Sequence, residues 1–182
     1  MIKTIGMLEL NSIAKGFEVA DTVVKGGEVE LLMARAICPG KFLILVTGNV
    51  GAVKYAIESG EINSGQYLVD QLLLPNVHKQ VLYAINGTTN TNKIRDIGVM
   101  EFFSIAASIV AADAAVKSAN VDLLEVRLGI GIGGKAFVTL TGEVSSVKNA
   151  IKAGTQASIS KGMLVNKTVI SGPSKQLIQF MI

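Results

Sequence analysis

Apolar positions along this chain follow two rhythms, one of period two and one near 3.6, and the rhythms alternate in a fixed order. Gly6 to Leu10 reads as a strand. Ile13, Phe17, Ala20 and Val24 are spaced 4, 3 and 4, which puts them on one face of a helix. Ser12 stands where an N-cap belongs, and Gly26-Gly27 ends that helix. Val29 to Ile37 and Phe42 to Val46 are strand-like apolar runs on either side of Pro39-Gly40, which reads as a tight hairpin connection. Val50, Val53 and Ile57 mark a second helix, Tyr67 to Leu74 a fourth strand, and His78 to Ile85 a short last helix. The order β-α-β-β-α-β-α predicts an α+β domain whose helices lie on one face of its sheet.

The same order then starts again. Ile5-Gly6-Met7-Leu8-Glu9 matches Ile97-Gly98-Val99-Met100-Glu101, an offset of 92. The register holds through Ser12-Ile13-Ala14 with Ser104-Ile105-Ala106, Ala20-Asp21 with Ala112-Asp113, Lys25 with Lys117, Leu31-Leu32 with Leu123-Leu124 and Arg35 with Arg127. From Lys41 with Lys135 the offset is 94, and it continues through Thr47-Gly48 with Thr141-Gly142, Val53-Lys54 with Val147-Lys148 and Gly60 with Gly154. Two residues are therefore added between Arg127 and Lys135, in a Gly-rich loop where length changes are tolerated best. So many matches in one register mark an internal duplication. The polar, turn-prone stretch from Asn86 to Asn92 reads as the connection. The expected organisation is a first domain over 1–86, a linker over 87–96 and a second domain over 97–182.

Composition adds a surface argument. The 182 residues are 49% hydrophobic and only 17% charged, without Trp, and the mean hydropathy is +0.48. So little polar surface predicts that much of it is covered by other subunits. The longest apolar stretch, around Ile105 to Ala112, falls well short of the roughly 18 positions a membrane helix needs. The N-terminus lacks a signal-peptide layout, so a cytosolic protein away from membranes is expected. The net charge of +3 comes from scattered basic residues, which gives nucleic-acid binding weak support. The single cysteine, Cys38, rules out an internal disulfide and suits a reducing compartment.

The element order and several residues resemble the shell domain of bacterial microcompartments (BMC). The likeness lies in Ile-Gly-x-x-Glu at the first strand of each copy, Asp21-x-x-x-Lys25-x-x-x-Val29 with its echo Asp113-x-x-x-Lys117-x-x-x-Val121, Thr47-Gly48 and Thr141-Gly142 opening the second helices, and Pro75-x-x-His78. It spans essentially the whole chain, twice. The resemblance implies two tandem BMC domains of ferredoxin-like order in a homotrimer that mimics a hexamer. It further implies flat discs that tile with other BMC shell proteins into facets enclosing metabolic enzymes.

Within the tandem group the likeness is greatest to propanediol-utilisation members. It rests on Ile37-Cys38-Pro39-Gly40-Lys41-Phe42, with Ser12 to Gly16 upstream and Gly131-Ile132-Gly133-Gly134-Lys135 in the second copy. Read alone, Cys38 is an ordinary small thiol at a strand end. The resemblance implies instead that Cys38 from each of three subunits binds one [4Fe-4S] cluster per trimer, for electron transport to encapsulated redox enzymes or for cluster delivery across the shell. A cubane normally takes four thiolates, so one cysteine per chain can serve only at a symmetry axis. Lys41 stands close enough in sequence to favour a thiolate. The resemblance also places the loops of Pro39, Gly40, Gly131, Gly133 and Gly134 around a central opening, and Lys25 and Lys117 at the disc edge. The plainer reading of those lysines is a favourable place at a helix C-terminus.

Gly131-x-Gly133-Gly134 lacks the helix and the remainder of a nucleotide fingerprint. His78, the only histidine, has no nucleophile or carboxylate pair near it in sequence and reads as structural. No repeated or convergent catalytic set stands out, so an enzyme is not expected. Two other readings stay open: a shell trimer whose pore passes metabolites without a cluster, and a small trimeric α/β enzyme or regulatory protein.

Overall fold

The computed structural model describes residues 3–89, 93–162 and 164–181. Residues 90–92 of the expected linker lie outside that range. By packing, the chain forms two compact units, Met1–Val77 and His78–Ile182.

The first unit contains β1 (Lys3–Leu10), α1 (Ile13–Gly26), β2 (Val29–Ile37), β3 (Lys41–Gly48), α2 (Val50–Ser64) and β4 (Leu68–Val77). Its strands form an antiparallel sheet in the order β2-β3-β1-β4. Ser12 caps α1, its hydroxyl accepting the Lys15 N–H at 3.3 Å, and Gly27 closes the helix. Leu8, Leu10, Phe42, Ile44 and Val46 from the sheet meet Val19, Ala20, Val23, Val53, Ala56 and Ile57 from the helices. Leu43 and Leu45, on the other face of β3, are buried as well, which is why that strand reads as one continuous apolar run.

The second unit contains α3 (Lys79–Ile85), β5 (Asp96–Phe102), α4 (Ile105–Ser118), β6 (Val121–Leu128), β7 (Ala136–Gly142), α5 (Val144–Ser158), β8 (Leu164–Ile170) and α6 (Lys175–Ile178). The sheet order β6-β7-β5-β8 repeats the first. The register repeats as well, including a bulge: Leu31 faces Val46 before a shift at Met33, and Leu123 faces Leu140 before a shift at Glu125. Two tandem domains of α+β architecture, each a four-stranded sheet with its helices, are thus observed. The boundary drawn by packing falls after Val77 rather than after residue 86. The reason is that α3, which the repeat assigns to the first copy, packs on β6 and α4.

The apolar stripe expected on the first helix is only partly buried. The residues of α1 that meet the core are Gly16, Val19, Ala20 and Val23. Gly16 lies so close to Phe42 that a Cβ there would stand 2.3 Å from the ring. The Phe17 ring rests on the same Phe42, with 4.8 Å between centroids, yet Ile13, Phe17 and Val24 remain 41%, 63% and 39% exposed. In the second copy Ile105, Ile109 and Val116 are 0%, 0% and 9% exposed. Equivalent strand positions diverge likewise, with Leu31 42% and Leu123 1% exposed.

Candidate functional site

The Cys38 turn grows directly out of the sheet. Ile37, buried, ends β2 and pairs with Lys41, the first residue of β3, so the intervening residues form a tight connection. The Gly40 N–H donates to the Ile37 carbonyl at 2.9 Å. Gly40 has φ +85, a conformation that favours glycine, and no atom lies within 4 Å of a Cβ built on it. The Cys38–Pro39 bond is cis. Cys38 is a free, half-buried thiol, and Pro39 and Gly40 beyond it are exposed.

Lys41 is paired with a carboxylate. Its Nζ donates to Glu9 Oε1 at 2.7 Å, and the Glu9 side chain is only 5% exposed. This ion pair spans two neighbouring strands and pins the base of the turn. The second copy repeats it between Lys135 and Glu101, at a more open site. The pairing was missing from the sequence reading, although Glu9 with Glu101 and Lys41 with Lys135 are matched in the duplicated register. That joint retention of opposite charges was the available signal.

The equivalent loop of the second unit joins β6 to β7 through Gly129 to Lys135. The Gly129 N–H donates to the Lys135 carbonyl at 3.0 Å, and the Lys135 N–H to the Ile132 carbonyl at 3.3 Å. Gly129, Gly131, Gly133 and Gly134 all have positive φ, and Gly131 and Gly133 are exposed. A strand follows this loop, as a nucleotide-binding glycine loop would not allow. Among the described residues no three His, Cys, Asp or Glu side chains gather into a metal-holding group. Cys38 therefore offers one ligand per chain.

The two lysines assigned to the disc edge end α1 and α4, each paired one turn back. Lys25 bonds Asp21 at 2.6 Å with both side chains well exposed, and Lys117 bonds Asp113 at 2.6 Å with Asp113 buried. The difference comes from α3: Asp113 Oδ1 also accepts the His78 backbone N–H at 2.8 Å. His78 caps α3 through Nδ1, which accepts the Gln80 N–H at 3.4 Å, a structural role. The side chain of Gln80 donates to Asp122 Oδ1 at 3.1 Å and accepts the Leu123 N–H at 2.9 Å. Gln80 did not stand out in the sequence, because its partners come from another element more than forty residues away.

Elsewhere, Gly172 and Ser171 hydrogen-bond the Asp96 carboxyl and hold its pKa below the ordinary value of 3.8, the Gly172 N–H acting most strongly at 2.9 Å. A depression of about 400 Å³ in the second unit is lined mainly by apolar surface around Ile159 and Leu164. Its Thr155 and Ser158 hydroxyls donate to backbone carbonyls, and Lys167 Nζ donates to Thr155 Oγ1 at 3.5 Å. No described helix is long and apolar enough to cross a membrane.

Comparison with known proteins agrees with this geometry. Residues 4–77 and 96–173 each match the BMC domain. The chain is 45% identical over 182 residues to bacterial microcompartment shell protein PduT of Citrobacter freundii, covering 100% of this chain and 99% of that protein. A crystal structure of a microcompartment protein from Desulfitobacterium hafniense superposes with a TM-score of 0.93 at 46% identity, over 98% of this chain and 99% of that one. The fused permuted hexameric shell protein MSM0275 of the RMM microcompartment shares the fold, with a TM-score of 0.65 at 20% identity over 87% of this chain and 84% of that one.

Proposed function

The chain belongs to the BMC-domain shell proteins of bacterial microcompartments, and from that premise we propose that three copies close into a six-domain disc with one [4Fe-4S] cluster held by Cys38 on its threefold axis. The discs tile with other shell proteins into facets, and the compartment is one for propanediol degradation. The observation that carries the cluster is the position of Cys38. It is the chain's only thiol, it stands on a projecting turn, and no second ligand accompanies it among the described residues. The donor set fits a cubane only if identical chains supply it, three thiolates leaving one iron position for another ligand.

The surrounding residues suit such a meeting. Gly40 leaves open space beside its backbone, so symmetry mates can approach closely. The Lys41–Glu9 pair fixes the strand end from which the turn projects, which holds the sulfur in one place. The exposed Gly131 and Gly133 let the alternating second-copy loops come equally near the axis. The cluster would supply one-electron transfer at the centre of the facet, toward redox enzymes enclosed by the shell.

Freshly isolated, anaerobically handled protein should contain about four irons and four acid-labile sulfides per trimer. Cys38→Ala should lose both and the accompanying broad absorbance while remaining trimeric. A colourless trimer after reconstitution with iron and sulfide would contradict the cluster and favour an open metabolite pore.

A further inference from the structure

Helices α2 and α5 hold equivalent places in the two units, share their buried residues and differ on the outside. The core positions of α2 are Val53, Ala56, Ile57, Gly60 and Ser64; those of α5 include Val147, Ala150, Ile151, Gly154 and Ser158, the same residue at each step. The outer side has changed its charge. α2 carries Lys54, Glu58 and Glu61, and Lys54 pairs with Glu58 at 3.7 Å one turn on. α5 carries Lys148 and Lys152 and no carboxylate. Where the first copy has Glu58 the second has Lys152, so an attractive pair at i,i+4 is replaced by a repulsive one. Residues 144–170 as a whole contain four lysines and no Asp or Glu. A like-charge pair on an unchanged core weakens its own helix, and an anionic partner offsets that loss.

The seam beside these lysines differs in a matching way. In the first unit Tyr55 fills it: a Cβ on Gly26 of α1 would stand 3.6 Å from the Tyr55 ring and 3.8 Å from Ser59 Oγ. Asn149 and Ala153 take those two places in α5. On the neighbouring helix, Glu18 and Thr22 of α1 correspond to Val110 and Ala114 of α4, both half-buried. α4 and α5 run close together, for a Cβ on Gly154 would meet the Ala111 carbonyl oxygen at 2.7 Å. The outer surface of this helix pair is therefore low and apolar, about 20 Å long, with a basic border. Small side chains there let another helix approach closely. Neither α4 nor α5 contains an arginine or an aromatic residue, so the surface lacks the groups that stack on or read bases.

We infer that the outer face of α4 and α5 docks an acidic amphipathic helix of another protein. Carboxylates four residues apart on that helix meet Lys148 and Lys152, which repeat at the same interval, and its small apolar residues lie over Val110, Ala114 and Ala153. The first unit, with Glu18, Tyr55 and Glu58 in the matching places, offers no such surface, so each chain has one site. The docking depends on neither the cluster nor Cys38.

The test uses the full chain in its native assembly. The probe is a fluorescent helical peptide of about 15 residues, with glutamates four apart along one edge and alanines and leucines on the adjoining face. Fluorescence anisotropy should show saturable binding, weakened about tenfold or more by Lys148→Glu with Lys152→Glu. The peptide with lysines in place of its glutamates should bind that variant and not the parent. Asn149→Tyr restores the first-unit residue, keeps both lysines and should weaken binding about tenfold. Lys54→Glu, at the matching place in the first unit, should leave binding unchanged. Binding indifferent to Asn149→Tyr, or equalled by single-stranded DNA of the same charge, overturns the docking and leaves only a general polyanion surface. Absence of saturable peptide binding overturns it as well.

Discussion

A lysine next to a cysteine in sequence invites a role in activating the thiol, yet the Lys41 ammonium sits on the buried Glu9 carboxylate instead. The energetic weight of this pair lies in what its loss would leave behind. Glu9 is almost fully buried, so Lys41→Ala strands a carboxylate without its counter-ion and should cost about 1–3 kcal/mol in chemical denaturation, the lysine's own partial exposure moderating the larger penalty of a fully buried pair. Lys135→Ala should cost about 0–1 kcal/mol, because Lys135 and Glu101 are 39% and 31% exposed and water can replace the lost partner. Equal losses would contradict this difference in burial. At the residue scale the sequence shows which side chains are retained in both copies. It does not show which of them are buried, and burial decides their worth.

Helix and strand positions were legible because caps, periodicity and duplication agree. Ser12 and Ser104 both cap as expected, each accepting a backbone N–H in the first turn. What local pattern could not supply is the choice of buried face on α1, or the destination of α3. One close approach lies on that face. Gly16 admits the ring of Phe42, and the equivalent positions in the second copy are Ser108 and Ala136, both buried, so a side chain on the helix goes with a small residue on the strand. Phe42→Ala alone should cost about 3–5 kcal/mol through the cavity it opens. Gly16→Ser alone should cost about 1–3 kcal/mol by overpacking. The double variant should be more stable than the sum of the two by more than about 1 kcal/mol, since each change relieves the other. Simple additivity in urea unfolding would show that the exchange is not a compensated pair. The second choice, the placement of α3, is a long-range packing decision. It was hidden because a seven-residue helix carries too short a pattern to name its partner.

For the whole molecule, the informative quantity is the difference between two copies of one fold. High hydropathy pointed to covered surface, and the structure shows where cover is missing: Ile13, Phe17, Val24 and Leu31 of the first unit stand open where their counterparts are buried. That asymmetry is what a chain built for a closed ring should show in isolation. The disc-edge role that the resemblance implies for Lys25 and Lys117 is tested at the next level of assembly. Lys25→Ala with Lys117→Ala should leave the trimer intact and reduce the sheets or tubes seen by electron microscopy on overexpression; undiminished sheets would remove both from the contact between discs. The Cys38 proposal depends most on the ring, since one thiol per chain becomes a ligand set only where three chains meet. Native mass spectrometry of anaerobically prepared protein tests this directly. The account predicts a single species of three 19.1 kDa chains plus one [4Fe-4S] cluster, reduced to three chains alone by Cys38→Ala. A metal-bearing monomer, or a trimer that keeps its cluster without Cys38, would contradict it.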